Sequence, residues 1–149
     1  MNTLILGIGN PILSDDGVGI KIAQKLEEQK PGLDVEQTNE AAIALLDLIT
    51  GYDKLIIIDS IKTKQGKPGK LYKLKLEDFR PNLDFSSSHG MDIATAFEVG
   101  QGLGCSMPQC VSIYAVEIKD NSTLSEQCTE EVAENIPFMV KQIIDEEKL

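Results

Sequence analysis

Apolar and polar positions along this chain alternate between two rhythms. Residues 3–8 form a continuous apolar run, the pattern of a strand covered on both faces of a sheet. Over residues 17–29 the spacing changes: Val18, Ile22, Ala23 and Leu26 recur at helical intervals, and Pro31 with Gly32 ends the helix. Residues 33–38 read as a short, half-polar strand, and residues 41–50 are apolar enough for a well-buried helix. A second buried strand spans 54–59, carrying Leu55, Ile56, Ile57 and Ile58 and closing on Asp59. After a turn at Lys67, Pro68 and Gly69, residues 71–76 alternate apolar side chains with lysine, as an edge strand does. Residues 80–88, rich in serine and interrupted by Pro81, read as a loop. A helix follows over 91–103, with Ile93, Ala94, Phe97 and Val99 inward and glycines at its end. Residues 111–117 make the last strand, and 123–148 are expected to form one long terminal helix, bent at Pro137.

Strands that alternate with helices predict an α/β fold: a mostly parallel sheet with helices on both faces. At 149 residues and 42% hydrophobic content, the chain suits a single domain with a proper core. Neither internal repeats nor a linker interrupt it. No stretch reaches the roughly 18–20 apolar residues of a membrane span. The N-terminus runs straight into the first strand, so neither a signal nor a transit peptide is expected. Cys105, Cys110 and Cys128 are odd in number and lack C-x-x-C spacing, which favours a reducing compartment over a disulfide framework or a zinc site. The cytoplasm is the expected location. A net charge of −10 argues against nucleic acid as a partner.

The first strand leads into a glycine turn with a pair of carboxylates at the start of the helix, Asp15 and Asp16. A dinucleotide fingerprint would need three glycines; Gly7 and Gly9 fit, but Ile12 holds the third place. The two carboxylates would also repel a pyrophosphate. One is expected to cap the helix, leaving the other for chemistry. In open α/β sheets, ligands sit beyond the carboxyl ends of the strands. Asp16, Asp59 and His89, the chain's one histidine, should all project at that edge. Two carboxylates and an imidazole suit a divalent transition metal. Each also has a plainer role: Asp59 as a strand end, His89 beside a helix start. Glu117 either lines the same crevice or is a solvated strand end. Cys105 and Cys110 lack the electropositive setting of a thiolate nucleophile.

The motifs Gly7-Ile8-Gly9-Asn10, Asp15-Asp16-Gly17-Val18-Gly19, Ile58-Asp59-Ser60, Lys67-Pro68-Gly69 and Ser88-His89-Gly90-Met91 together resemble those of the hydrogenase maturation endopeptidases. A weaker match lies in Val116-Glu117-Ile118, and the similarity runs nearly end to end. The resemblance implies an α/β/α sandwich around a five-stranded twisted sheet. It implies removal of the C-terminal extension of a nickel-iron hydrogenase large-subunit precursor. Asp16, Asp59 and His89 match the positions with which the family meets nickel. That nickel is supplied by the precursor as a recognition anchor, so no tightly bound cofactor is implied, and the protein is expected to be a monomer. Hydrolysis by water is expected, with Asp16 or Asp59 as general base. Asp16 stands where many relatives carry Glu, one methylene longer. Residues 38–42 replace a glycine-rich turn, so no catalytic role is given to Glu40. Two other readings stay open: a non-enzymatic nickel-delivery protein of hydrogenase assembly that uses the same three residues, and, on the glycine turn, a nucleotide-binding α/β domain.

Overall fold

The computed structural model describes residues 1–40, 42–79 and 90–149. The predicted loop 80–88 and the candidate ligand His89 lie outside the described residues. The elements run β1 (Thr3–Ile8), a 3-10 turn (Ser14–Gly17), α1 (Val18–Gln29), β2 (Asp34–Thr38), α2 (Ala42–Ile49), β3 (Lys54–Ile61) and β4 (Leu71–Leu74). A second 3-10 turn (Leu76–Phe79) precedes α3 (Gly90–Gly102), β5 (Cys110–Glu117), α4 (Glu130–Ala133) and α5 (Ile136–Glu147). The five strands form one sheet in the order β2-β1-β3-β5-β4. All neighbours are parallel except β4, which runs antiparallel to β5 at the edge.

Period-two alternation in the central strands sends side chains to two separate cores. Leu4, Leu6, Leu55, Ile57 and Ile113 pack with Leu45 and Ile49 of α2 and Ile93 and Phe97 of α3. On the opposite face Ile5, Ile56, Ile58, Tyr114 and Val116 meet Val18, Ile22 and Leu26 of α1 and Met139, Val140 and Ile143 of α5. A helical layer on each side of the sheet gives the α/β/α sandwich. Among the described residues, no helix is long and apolar enough to cross a membrane.

The sequence reading differs from the structure at three ends. β3 does not stop at Asp59 but continues to Ile61, because Asp59, Ser60 and Ile61 pair with Ala115, Val116 and Glu117 of β5. The edge strand ends at Leu74 and gives way to a 3-10 turn. The terminal helix does not begin at residue 123. There Asp120 accepts hydrogen bonds from the amides of Ser122 and Thr123 (2.9 and 3.0 Å), a local turn that competes with helix. Helix starts only at Glu130, and it is interrupted before Pro137, which occupies the first turn of α5.

The last helix is fastened to the sheet by one buried acid. The Glu147 side chain, 2% exposed, meets Lys54 Nζ at 2.7 Å and Lys73 Nζ at 3.4 Å. It also accepts from the Tyr114 hydroxyl (2.7 Å) and the Ser112 hydroxyl (3.2 Å). Burial pulls the carboxyl upward, but the bonds from Lys54, Tyr114 and Ser112 outweigh it and hold Glu147 below its ordinary value of 4.5. The stabilisation is therefore complete above about pH 4.5 and is lost as pH falls through the lower value of the folded state. Urea unfolding followed from pH 7 to pH 3 should show this loss. Glu147→Gln should lower stability at pH 7 by about 2 kcal/mol and flatten the acid limb of the profile.

Candidate active site

The site begins where β1 ends. Gly9 presses its backbone against that of the following turn: a Cβ there would overlap the carbonyl oxygen of Asp16. Any side chain would push the turn off the sheet. Gly9 N also donates to Thr38 O at 3.0 Å, tying the turn to the end of β2. Ser14 then adopts a left-handed φ of 50°, uncommon for a residue with a side chain. Such backbone costs about 1–3 kcal/mol and persists only where its surroundings hold it. Here Ser14 N donates to Ser125 O at 2.9 Å, and Ser125 N to Ile12 O at 2.9 Å.

The two adjacent carboxylates have separate work, and neither caps a helix: the caps of the 3-10 turn and of α1 are Leu13 and Gly17, without a side-chain bond. Asp15 is fully buried. It accepts from the amides of Lys119 and Asp120 (both 3.0 Å) and of Thr129 (2.7 Å). The Thr129 hydroxyl lies 2.8 Å from its second oxygen. Asp15 therefore stitches the first turn to the segment between β5 and α4. Sequence reasoning missed this role.

Asp16 turns the other way. Its Oδ2 accepts the amide of Asn10 at 2.9 Å, and its Oδ1 accepts the hydroxyl of Ser60 at 3.2 Å. Asp59 lies in β3, just past the last β1–β3 pair, Gly7 with Ile58. Its Oδ1 accepts the Ser60 amide at 2.7 Å. One serine thus touches both predicted carboxylates, which are 7% and 1% exposed. Ser60 entered the sequence reading only as part of a motif; its bridging role was not anticipated. Both carboxylates have further interactions beyond these. Among the described residues no three His, Cys, Asp or Glu side chains converge on a metal position.

Glu117 is not a solvated strand end. It is 1% exposed and accepts the Thr63 amide at 2.8 Å and the Tyr72 hydroxyl at 3.0 Å. Cys128, beside Asp15, has its thiol pushed up to about 11 by burial and by the Asp15 charge. It stays protonated at neutral pH and is no nucleophile. What this edge offers chemically is a pair of buried carboxylates, Asp16 from the turn and Asp59 from β3, each bonded to Ser60 and of a type that can take a proton or meet a cation.

The division between the two acids has a measurable consequence. Asp15→Ala leaves three amides without their partner in the interior and should cost about 3 kcal/mol in urea unfolding. Asp16→Ala should cost about 1 kcal/mol. Equal costs would remove the distinction between a structural and a chemical carboxylate.

Comparison with known proteins agrees with this architecture. Residues 11–146 match the sequence model of the hydrogenase maturation protease family. Protein FrxA of Pyrococcus furiosus is 30% identical over 138 residues, 89% of this chain and 95% of that protein. The hydrogenase 2 maturation protease of Escherichia coli K12 is 32% identical over 81 residues, 52% of this chain. That match spans about half, 49%, of the E. coli protein. The solved hydrogenase maturating endopeptidase HybD from E. coli superposes with a TM-score of 0.83 at 24% identity, covering 99% of this chain and 93% of that one. The NiFe hydrogenase maturation protease HybD from Thermococcus kodakarensis gives 0.80 at 22% identity, covering 97% and 98%. These two likenesses speak for the fold. With residues 11–146 of its 149 matched by that family's sequence model, the chain belongs to the hydrogenase maturation protease family.

Proposed function

We propose that this protein is an endopeptidase that removes the C-terminal extension from the nickel-loaded large-subunit precursor of a nickel-iron hydrogenase. The observation that carries the reading is the pair Asp16 and Asp59, buried at the carboxyl edge of the sheet and joined through Ser60. Buried carboxylates are costly to keep unless they are used or satisfied. A site of this composition suits a first-row transition ion. In this reading the ion is part of the substrate, and Asp16, Asp59 and His89 meet it. Docking on the metal places the scissile bond and restricts cleavage to loaded precursor.

The chemistry asked of the chain is modest. A water molecule attacks the scissile carbonyl carbon while Asp16 or Asp59 takes its proton. The carbon–nitrogen bond then breaks, and the proton passes to the leaving amine. General-base assistance of this kind contributes about 10²–10⁴-fold. Ser60 orients both acids, Asp16 through its hydroxyl and Asp59 through its amide. The protein works as a monomer in the cytoplasm, where the precursor is assembled.

Intact mass spectrometry of the precursor, incubated with the protein with and without nickel loaded, tests the proposal. Only loaded precursor should be shortened, and Asp16→Asn or Asp59→Asn should slow cleavage by at least about 100-fold. No shortening of precursor confirmed to hold nickel would favour the nickel-delivery reading. Elemental analysis gives a second check: protein purified without substrate should hold far less than one nickel per chain. Stoichiometric metal that resists a chelator would contradict a substrate-borne ion.

A further inference from the structure

Lysine is distributed unevenly in this acidic chain. Residues 62–75 contain Lys62, Lys64, Lys67, Lys70, Lys73 and Lys75 but neither Asp nor Glu. Lys73 is used by Glu147. Lys64, Lys67 and Lys70 are exposed, and among the described residues none is ion-paired with an acid. All three line an open cavity of about 600 Å³, together with Thr63, Gly66 and Tyr72. Lys70 Nζ stands 4.8 Å from the centre of the Tyr72 ring.

The cavity wall is built and fixed by one residue behind it. Glu117 receives the Thr63 amide and hydroxyl and the Tyr72 hydroxyl. Its own backbone closes the loop, accepting from Gly69 N and donating to Lys70 O, both at 2.8 Å. Gly66 lies so close that a Cβ would overlap the Glu117 carboxylate. The loop that presents the lysines is therefore clamped at both ends, and the acid beneath it is turned towards donors. Only Ile61 and Lys62 separate Thr63 from Ser60, the residue that touches both candidate catalytic acids. The cavity opens on the same edge of the sheet as the site.

We propose that this cavity is a substrate subsite that takes an acidic stretch of polypeptide close to the scissile bond. The inference rests on the endopeptidase reading. Its volume falls in the range of about 300–1,000 Å³ usual for ligand pockets, far more than a single inorganic anion fills. Lysines are mobile point charges without the fork geometry of arginine, which suits carboxylates spaced along a chain. The chain as a whole carries a net charge of −10 even with these six lysines counted, so the rest of the surface repels an acidic segment and the field steers it towards this loop.

The test uses the full chain and a variant carrying Lys64→Gln, Lys67→Gln and Lys70→Gln. Fluorescence anisotropy with labelled hexaglutamate should give saturable binding to the wild type, weakened at least about tenfold in the variant. On nickel-loaded precursor the variant should raise KM about tenfold and leave kcat within about twofold. A control with Lys25→Gln and Lys141→Gln should change neither, and thermal melts should find both variants folded. Cleavage by the variant with unchanged KM overturns the subsite while the endopeptidase reading stands. If the wild type leaves the precursor intact, that reading fails and hexaglutamate alone decides: binding lost in the variant supports the cavity, and no binding to the wild type overturns it. Inorganic phosphate that raises the wild-type melting temperature but not the variant's, with hexaglutamate inert, assigns the cavity to a free anion and overturns the peptide.

Discussion

Asp15 sits where the first strand turns into the first helix, has no access to solvent, and gathers amides from two places more than a hundred residues along the chain. A buried carboxyl group costs free energy unless donors replace the water it has lost. Here the replacements are backbone amides that would themselves be costly to bury unpaired. The requirement is mutual, and it determines the local geometry. The segment from Lys119 to Thr129 must lie against the turn, and the turn must accept the left-handed backbone at Ser14. Only in that arrangement does Asp16 face Ser60 and, through it, Asp59.

Two adjacent residues of one type thus do opposite things. Asp15 is closed in by donors from a distant part of the chain. Asp16 is directed to the sheet edge by one amide and one hydroxyl. Ser60 then couples the turn after β1 to β3 at the level of the candidate chemistry. Glu117 repeats the principle at the end of β5, where a buried acid organises a loop. The same kind of carboxyl group serves as anchor, candidate reagent or clamp according to which donors reach it.

The central strands were legible because burial on both faces leaves a continuous apolar run, and Leu4–Ile8 and Leu55–Ile58 have that signature. Asp16 and Asp59 were legible because a parallel sheet directs its ligands to one edge. Hidden from the sequence were the features set by distant partners. The last residues of β3 are strand because β5 pairs with them, not because Asp59 and Ser60 favour it. The stretch before Glu130 is not helical because Asp120 folds it back and Asp15 holds Thr129. Glu117 was left open between a crevice residue and a solvated strand end, since nothing in the local sequence announces that Thr63 and Tyr72 close over it. His89, placed by the sequence with these acids, lies outside the described residues.

The partners of Asp15 come from residues 119–129, near the end of the chain. During synthesis from the N-terminus, β1, α1 and β3 all leave the ribosome well before those amides exist. Until they arrive the turn has only its local bonds and the one to Thr38, and lacks the amides that enclose Asp15. A nascent or truncated chain can thus have most of its sheet and still lack an organised site. The mutual arrangement of Asp16, Ser60 and Asp59 is among the last features the polypeptide acquires, although all three residues are made in its first half.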